Sequence, residues 1–134
     1  MPVRYVLPLG AILAAIAVGL GAYAAHGLDK HLIAAGYEAD LTVRLNWFET
    51  GVRYQMYHAL ALLFVGVLAS RDNPCLALRF AAAAFVAGIA LFSGSLYLMA
   101  LTSADWRWLG AIVPLGGASF IVGWVVVAYA TWKQ

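Results

Sequence analysis

Glu49, Arg53, Gln55 and His58 fall within three helical turns in the stretch Trp47 to Ala69, WFETGVRYQMYHALALLFVGVLA. The second half of that stretch is apolar enough to lie in a bilayer, so these polar groups must share a helix that enters hydrocarbon. Glu49 and Arg53 are four residues apart with the acid first, the favourable order for an ion pair along a helix. Counting about 20 residues back from Ser70 puts the membrane boundary near Gly51. The pair then reads as an interfacial anchor whose charges snorkel to water, with a gate or proton relay as the alternative. His58 lies roughly 10 Å deeper, on one face with Gly51 and Tyr54 and beside Gln55.

A neutral histidine in lipid still needs hydrogen-bond partners. The first helix ends at His26 on the same side of the membrane, and the third ends there with Ser93, Ser95 and Tyr97. His26, Glu49, Arg53, Tyr54, Gln55, His58, Ser93, Ser95 and Tyr97 thus form one candidate polar cluster near the non-cytoplasmic face. Three chemistries fit such a cluster. The first is a satisfied structural network. The second is proton or small-solute handling, since an unperturbed histidine titrates near pH 6.5. The third is metal or haem ligation by His26 and His58, the weakest of the three, because no HxxxH or CxxCH spacing supports it. There is no nucleophile motif, no Gly-rich phosphate loop after a strand, and no pair of intramembrane carboxylates. No enzymatic activity, cofactor or metal is therefore expected. Cys75 is the only cysteine, which excludes an intrachain disulfide and a cysteine metal cluster.

Composition sets the frame that must position these groups. Of 134 residues, 65% are hydrophobic and 10% charged, with a mean hydropathy of +0.88. A soluble domain carries about 25% charged residues, so this chain could not cover its surface against water. Its apolar residues fall in four long runs, which makes it a multi-spanning membrane protein. The net charge of +2 is scattered with no basic run, so no nucleic-acid partner is implied.

The first run, Tyr5 to Ala25, could be a secretory signal, since Ala22-Tyr23-Ala24 satisfies the small-x-small pattern. At about 20 residues it exceeds the 7–15 of a signal core, and it reads as an uncleaved span. Gly10/Ala14, Ala15/Gly19 and Ala17, Gly21, Ala25 recur along it at four-residue spacing, which lets another backbone approach closely. Gly27 is the expected C-cap. An interfacial amphipathic segment, roughly 28–46, follows: Leu28, Leu32 and Ala35 share a face of a short helix stopped by Gly36. From Asp40, the residues Leu41, Leu45, Phe48 and Val52 run into the central stretch without a breaker. The second helix therefore extends to Ser70, and its first turns lie along the interface or stand clear of the membrane. Arg71-Asp72-Asn73-Pro74 is a turn signal. The third span is predicted at Arg79 to Leu101, then a short loop from Thr102 to Trp108, whose Trp106 and Trp108 suit a headgroup-level belt. The fourth is predicted at Leu109 to Trp132, interrupted by Pro114 and Gly116-Gly117, with Trp132 and Lys133 as the exit anchor. Gly116-Gly117 reads first as helix packing or a kink, with a broken helix lining a substrate site as the alternative. Lysine and arginine are almost evenly divided between the two sides, and both termini are read as cytoplasmic.

Four segments carry a family resemblance: Gly21-Ala22-Tyr23-Ala24-Ala25-His26-Gly27-Leu28, the run Glu49 to Ala61 (ETGVRYQMYHALA), Phe92-Ser93-Gly94-Ser95-Leu96-Tyr97, and Pro114-Leu115-Gly116-Gly117. In this order they resemble the family known as domain of unknown function 423, the YgdD-like small membrane proteins of bacteria. The resemblance covers nearly the whole chain and is weakest over residues 29–46. It implies a four-helix protein of the bacterial inner membrane and assigns no catalytic residue. The expectation is an all-α integral membrane bundle of four transmembrane helices, in contact with membrane lipids. It would act as a structural or accessory protein, as a homo-oligomer or within a larger membrane complex; the alternative is a small transporter or proton-conducting protein built around His58.

Overall fold

The computed structural model describes residues 3–71 and 76–132. The turn signal at Asp72-Asn73-Pro74, Cys75 and Lys133 lie outside the described residues. Five of the six α-helices make four segments long and apolar enough to cross a membrane. They are α1 (Val6–His26), α3 (Leu41–Arg71), the continuous pair α4 (Leu76–Gly88) and α5 (Gly94–Leu101), and α6 (Val113–Trp132). The short α2 (Leu28–Ala34) joins the first two. No strand occurs among the described residues, and the protein is an all-α membrane bundle.

Two apolar cores hold it together. The larger lies among α3, α4 and α6 around Leu62, Val65, Phe85, Ile89 and Phe120, with Val6 of α1 at its edge. The smaller gathers Leu28, Leu32, Phe48 and Ala100, flanked by Tyr23, Tyr37, Trp47 and Tyr97. The second core explains the long α3. Its 31 residues span roughly 46 Å at 1.5 Å per residue, more than the about 30 Å of hydrocarbon. The extra turns stand up from the membrane span and are roofed by α2, whose Leu28 and Leu32 are fully buried. Gly36 turns the chain between them at φ 82°, a conformation that suits glycine. Ala35, expected on the same face, is exposed.

Small residues set the helix spacings. A Cβ on Gly10 would stand 3.0 Å from the Ala59 carbonyl oxygen, so α1 and α3 meet nearly backbone to backbone there. Between the third and fourth spans the same device becomes reciprocal. Phe85 packs on Gly123, Phe120 on Gly88, and the Phe92 backbone on Gly116, each where a Cβ would come within 2.5 Å.

Three local features depart from the sequence expectations. The third span contains a π-helical turn, Ile89–Ser93, between α4 and α5. The loop expected at Thr102 to Trp108 is a 3-10 helix, Ala104–Ala111. Pro114 does not interrupt the fourth span. It sits in the first turn of α6, where its missing N–H has no intrahelical acceptor to lose, while Gly116 packs against Phe92, in keeping with the helix-packing reading of Gly116-Gly117.

Candidate functional site

The nine residues expected to cluster separate into two networks and an outer face. In the first network Gln55, buried on α3, bridges three helices. Its Nε2 donates to the Leu13 carbonyl of α1 at 2.9 Å, and its Oε1 accepts from the Tyr97 hydroxyl of α5 at 2.9 Å. Tyr97 reaches Gln55 because Gly51 has no side chain: a Cβ there would be 2.8 Å from the Tyr97 ring. One N–H of the Gln55 amide and one lone pair of its carbonyl thus hold α1, α3 and α5 in register.

The second network surrounds His58, which is 6% exposed. It faces away from α1, toward α4 and α6. The Trp124 indole Nε1 donates to His58 Nε2 at 3.3 Å, and His58 Nδ1 stands 2.8 Å from the Tyr54 carbonyl oxygen. An indole N–H can only donate, so Nε2 must accept; the proton of neutral imidazole then sits on Nδ1 and is donated to Tyr54. Geometry alone fixes this tautomer. The Phe120 ring stacks on the imidazole at a centroid distance of 3.4 Å and 7° between planes, and Phe85 closes another side at 5.5 Å.

The remaining predicted residues are not brought to His58. His26 is exposed at the end of α1. Leu13 of the same helix sits level with Gln55, which puts His26 roughly 20 Å along α1 from that level. Glu49 and Arg53 are exposed on α3 and form no ion pair within 4.0 Å of each other. Ser95 is buried, and Ser93 is fully buried in the π-helical turn with its Oγ unpartnered. Among the described residues no group of three or more His, Cys, Asp or Glu could hold a metal ion.

Beside His58 the helices leave a groove of about 400 Å³, lined by Tyr54, Phe92, Gly117, Phe120, Ile121 and Trp124. It opens sideways between α3 and α6, and its rim residues Ile121 (66%) and Trp124 (45%) are exposed. The π-helical turn supplies Phe92, whose ring lies 4.6 Å from that of Tyr54.

A third polar centre was not foreseen. Arg44, which in the sequence counts only toward the tally of lysine and arginine on the two sides of the membrane, is 2% exposed. Its Nη1 donates to the carbonyls of Met99, Ala100 and Thr102 at 3.2, 2.9 and 2.7 Å, and its Nε to Asp40 at 2.9 Å. Its guanidinium also lies over the Tyr37 ring at 3.7 Å. Asp40 in turn pairs with Arg107. These carbonyls belong to the end of α5, where a helix leaves its acceptors unsatisfied and a cation is favoured. One signal was available: Arg44 lies four residues before Phe48 and after Asp40, on the buried side of the helix.

Comparison with known proteins agrees with this architecture. The family model described as "Protein of unknown function (DUF423)" matches residues 20–117. The chain is 44% identical over 125 residues to the UPF0382 membrane protein YwdK of Bacillus subtilis, covering 93% of this chain and 94% of that one. It is 39% identical to a UPF0382 membrane protein of Haemophilus influenzae (96% and 94% covered) and 42% identical to UPF0382 membrane protein SAB0533 of Staphylococcus aureus (93% of each). No solved structure matches it. Four apolar spanning helices and relatives that are membrane proteins over nearly their full length lead to one conclusion: this chain is a multi-pass membrane protein and belongs to the DUF423 family.

Proposed function

We propose that the protein is a structural or accessory subunit of the bacterial inner membrane, without enzymatic activity, that works by helix–helix association. Its partners are further copies of itself or the components of a larger membrane complex. The observation that carries this reading is the outward face of α1. Gly10, Ala17 and Gly21 pack inward toward α3, whereas Ala11, Ala15, Gly19 and Ala22, at matching helical spacing, are exposed. A Cβ built on Gly19 meets nothing within 4 Å. Small residues in such a row let a second helix approach closely enough for dispersion to hold it in lipid.

Transport or proton conduction is less well supported. That reading rests on Glu49, Arg53, Gln55 and His58 entering the membrane together, yet Glu49 and Arg53 stand on the exposed side of α3 while Gln55 and both ring nitrogens of His58 are engaged inside. Native mass spectrometry after gentle detergent extraction tests the association reading. The expected result is an assembly of more than one chain, or a stoichiometric partner. A lone chain that copurifies with nothing overturns it.

A further inference from the structure

The geometry points to the aromatic groove between α3 and α6 as a lateral binding site for an uncharged, flat, ring-bearing molecule dissolved in the bilayer, of the quinone class. Its position comes first. The groove is walled by Tyr54, Phe92, Phe120 and Trp124, with Gly117 leaving its floor bare. A Cβ on Gly117 would meet nothing closer than the Phe92 ring at 3.9 Å. Its mouth lies on the exposed side of α6, within a membrane-spanning segment, so a ligand arrives from lipid rather than from water. At about 400 Å³ it falls in the range of small-molecule sites, roughly 300–1,000 Å³.

The shape of the lining selects a flat ring. Tyr54 and Phe120 lie within 28° of parallel at 6.3 Å, and His58 and Phe120 within 7°. These three rings share one orientation and offer a face for offset stacking, while Phe92, at 55° to Phe120, and Trp124, at 58° to His58, present tilted edges around it. Phe92 reaches this wall from a π-helical turn, an irregularity found frequently at functional sites.

The polar groups select an uncharged acceptor. None of the lining residues carries a formal charge, and His58 is fixed as the neutral Nδ1–H tautomer by Trp124 and the Tyr54 carbonyl. An ion in this groove would go uncompensated. The Tyr54 hydroxyl takes part in none of the hydrogen bonds among the described residues, where Tyr54 bonds only through its backbone carbonyl, and it can donate to a ring carbonyl. A flat, neutral, lipid-soluble ring bearing carbonyl acceptors is a quinone headgroup.

The test is a titration of decylubiquinone into the full chain in detergent micelles, read by tryptophan fluorescence. Saturable quenching is expected. Of the five tryptophans, only Trp124 lines the groove, so Trp124→Phe should remove most of the saturable component. Gly117→Leu fills the floor and should weaken binding at least about tenfold with the helical circular dichroism unchanged. Tyr54→Phe keeps the ring and loses the hydroxyl, for a weakening of roughly fivefold. Quenching that rises without saturating, or that Gly117→Leu leaves unchanged, overturns the assignment. So does a Gly117→Leu protein whose assembly mass changes while its quenching does not, which would give the groove to a neighbouring helix.

Discussion

The Phe120 ring lies against Gly88, where a Cβ would stand 2.4 Å from two of its ring carbons. The ring cannot swing aside, because its other contacts include the imidazole of His58 stacked at 3.4 Å. Gly88→Ala therefore adds a methyl where neither partner can yield. Overpacking of this kind costs about 1–3 kcal/mol. A denaturation midpoint in mild detergent should fall accordingly, and Gly116→Ala should fall further, since the obstructing atom there is the Phe92 backbone nitrogen. Stability unchanged in both variants would mean that the third and fourth spans are not interlocked as described.

Gly19 gives the opposite case on α1. With no atom within 4 Å of a built Cβ, Gly19→Ile should leave the stability of a single chain within about 0.5 kcal/mol of the parent. If the exposed small-residue row is where another helix docks, the same substitution should lower the assembled fraction in native mass spectra. A variant that assembles as the parent does would place the contact elsewhere.

Much of this architecture was legible because the bilayer constrains it so tightly. Four apolar runs in a chain with 10% charged residues admit only spanning helices, and Leu28, Leu32 and Gly36 announced the short α2 by spacing and by a turn residue. What could not be read was which way each face points. Glu49, Arg53 and His58 look like one constellation along the chain, but 100° per residue carries them to different sides of α3. Nothing local distinguished the side facing α6 from the side facing lipid. The π-helical turn at Ile89–Ser93 was invisible for a related reason: Gly94 and the serines around it suit either a straight or a widened helix. Arg44 escaped because its acceptors are backbone carbonyls more than fifty residues away, and carbonyls leave no mark in the side-chain pattern.

Arg44 should be the most sensitive polar residue in the fold. Arg44→Met retains bulk but leaves the carbonyls of Met99, Ala100 and Thr102 without their donor, together with half of the pairing of Asp40. A loss of about 2–4 kcal/mol is expected from charge-assisted bonds broken on one side only. Lysine keeps the charge without the planar fork, so Arg44→Lys should recover less than half of that. Unfolding of both variants, followed by helical circular dichroism, checks the assignment; an Arg44→Met protein within about 0.5 kcal/mol of the parent would contradict it.

His58 offers the sharpest discrimination between a structural and a proton-handling role. The Trp124 indole can only donate, so Nε2 accepts and Nδ1 carries the proton to the Tyr54 carbonyl. A second proton has one place to go, Nε2, and taking it would break the bond to Trp124 and put an unpaired charge among Phe85, Phe120 and Trp124. Nitrogen NMR of labelled histidine should therefore report a single Nδ1–H tautomer for His58. In Trp124→Phe the Tyr54 carbonyl still requires a donor, so the Nδ1–H tautomer should persist, while the Nε2 resonance shifts with the loss of the indole hydrogen bond. A His58 found on Nε2–H in the parent protein would refute the network. One that exchanges freely while Trp124 is intact would return the proton-relay reading to first place.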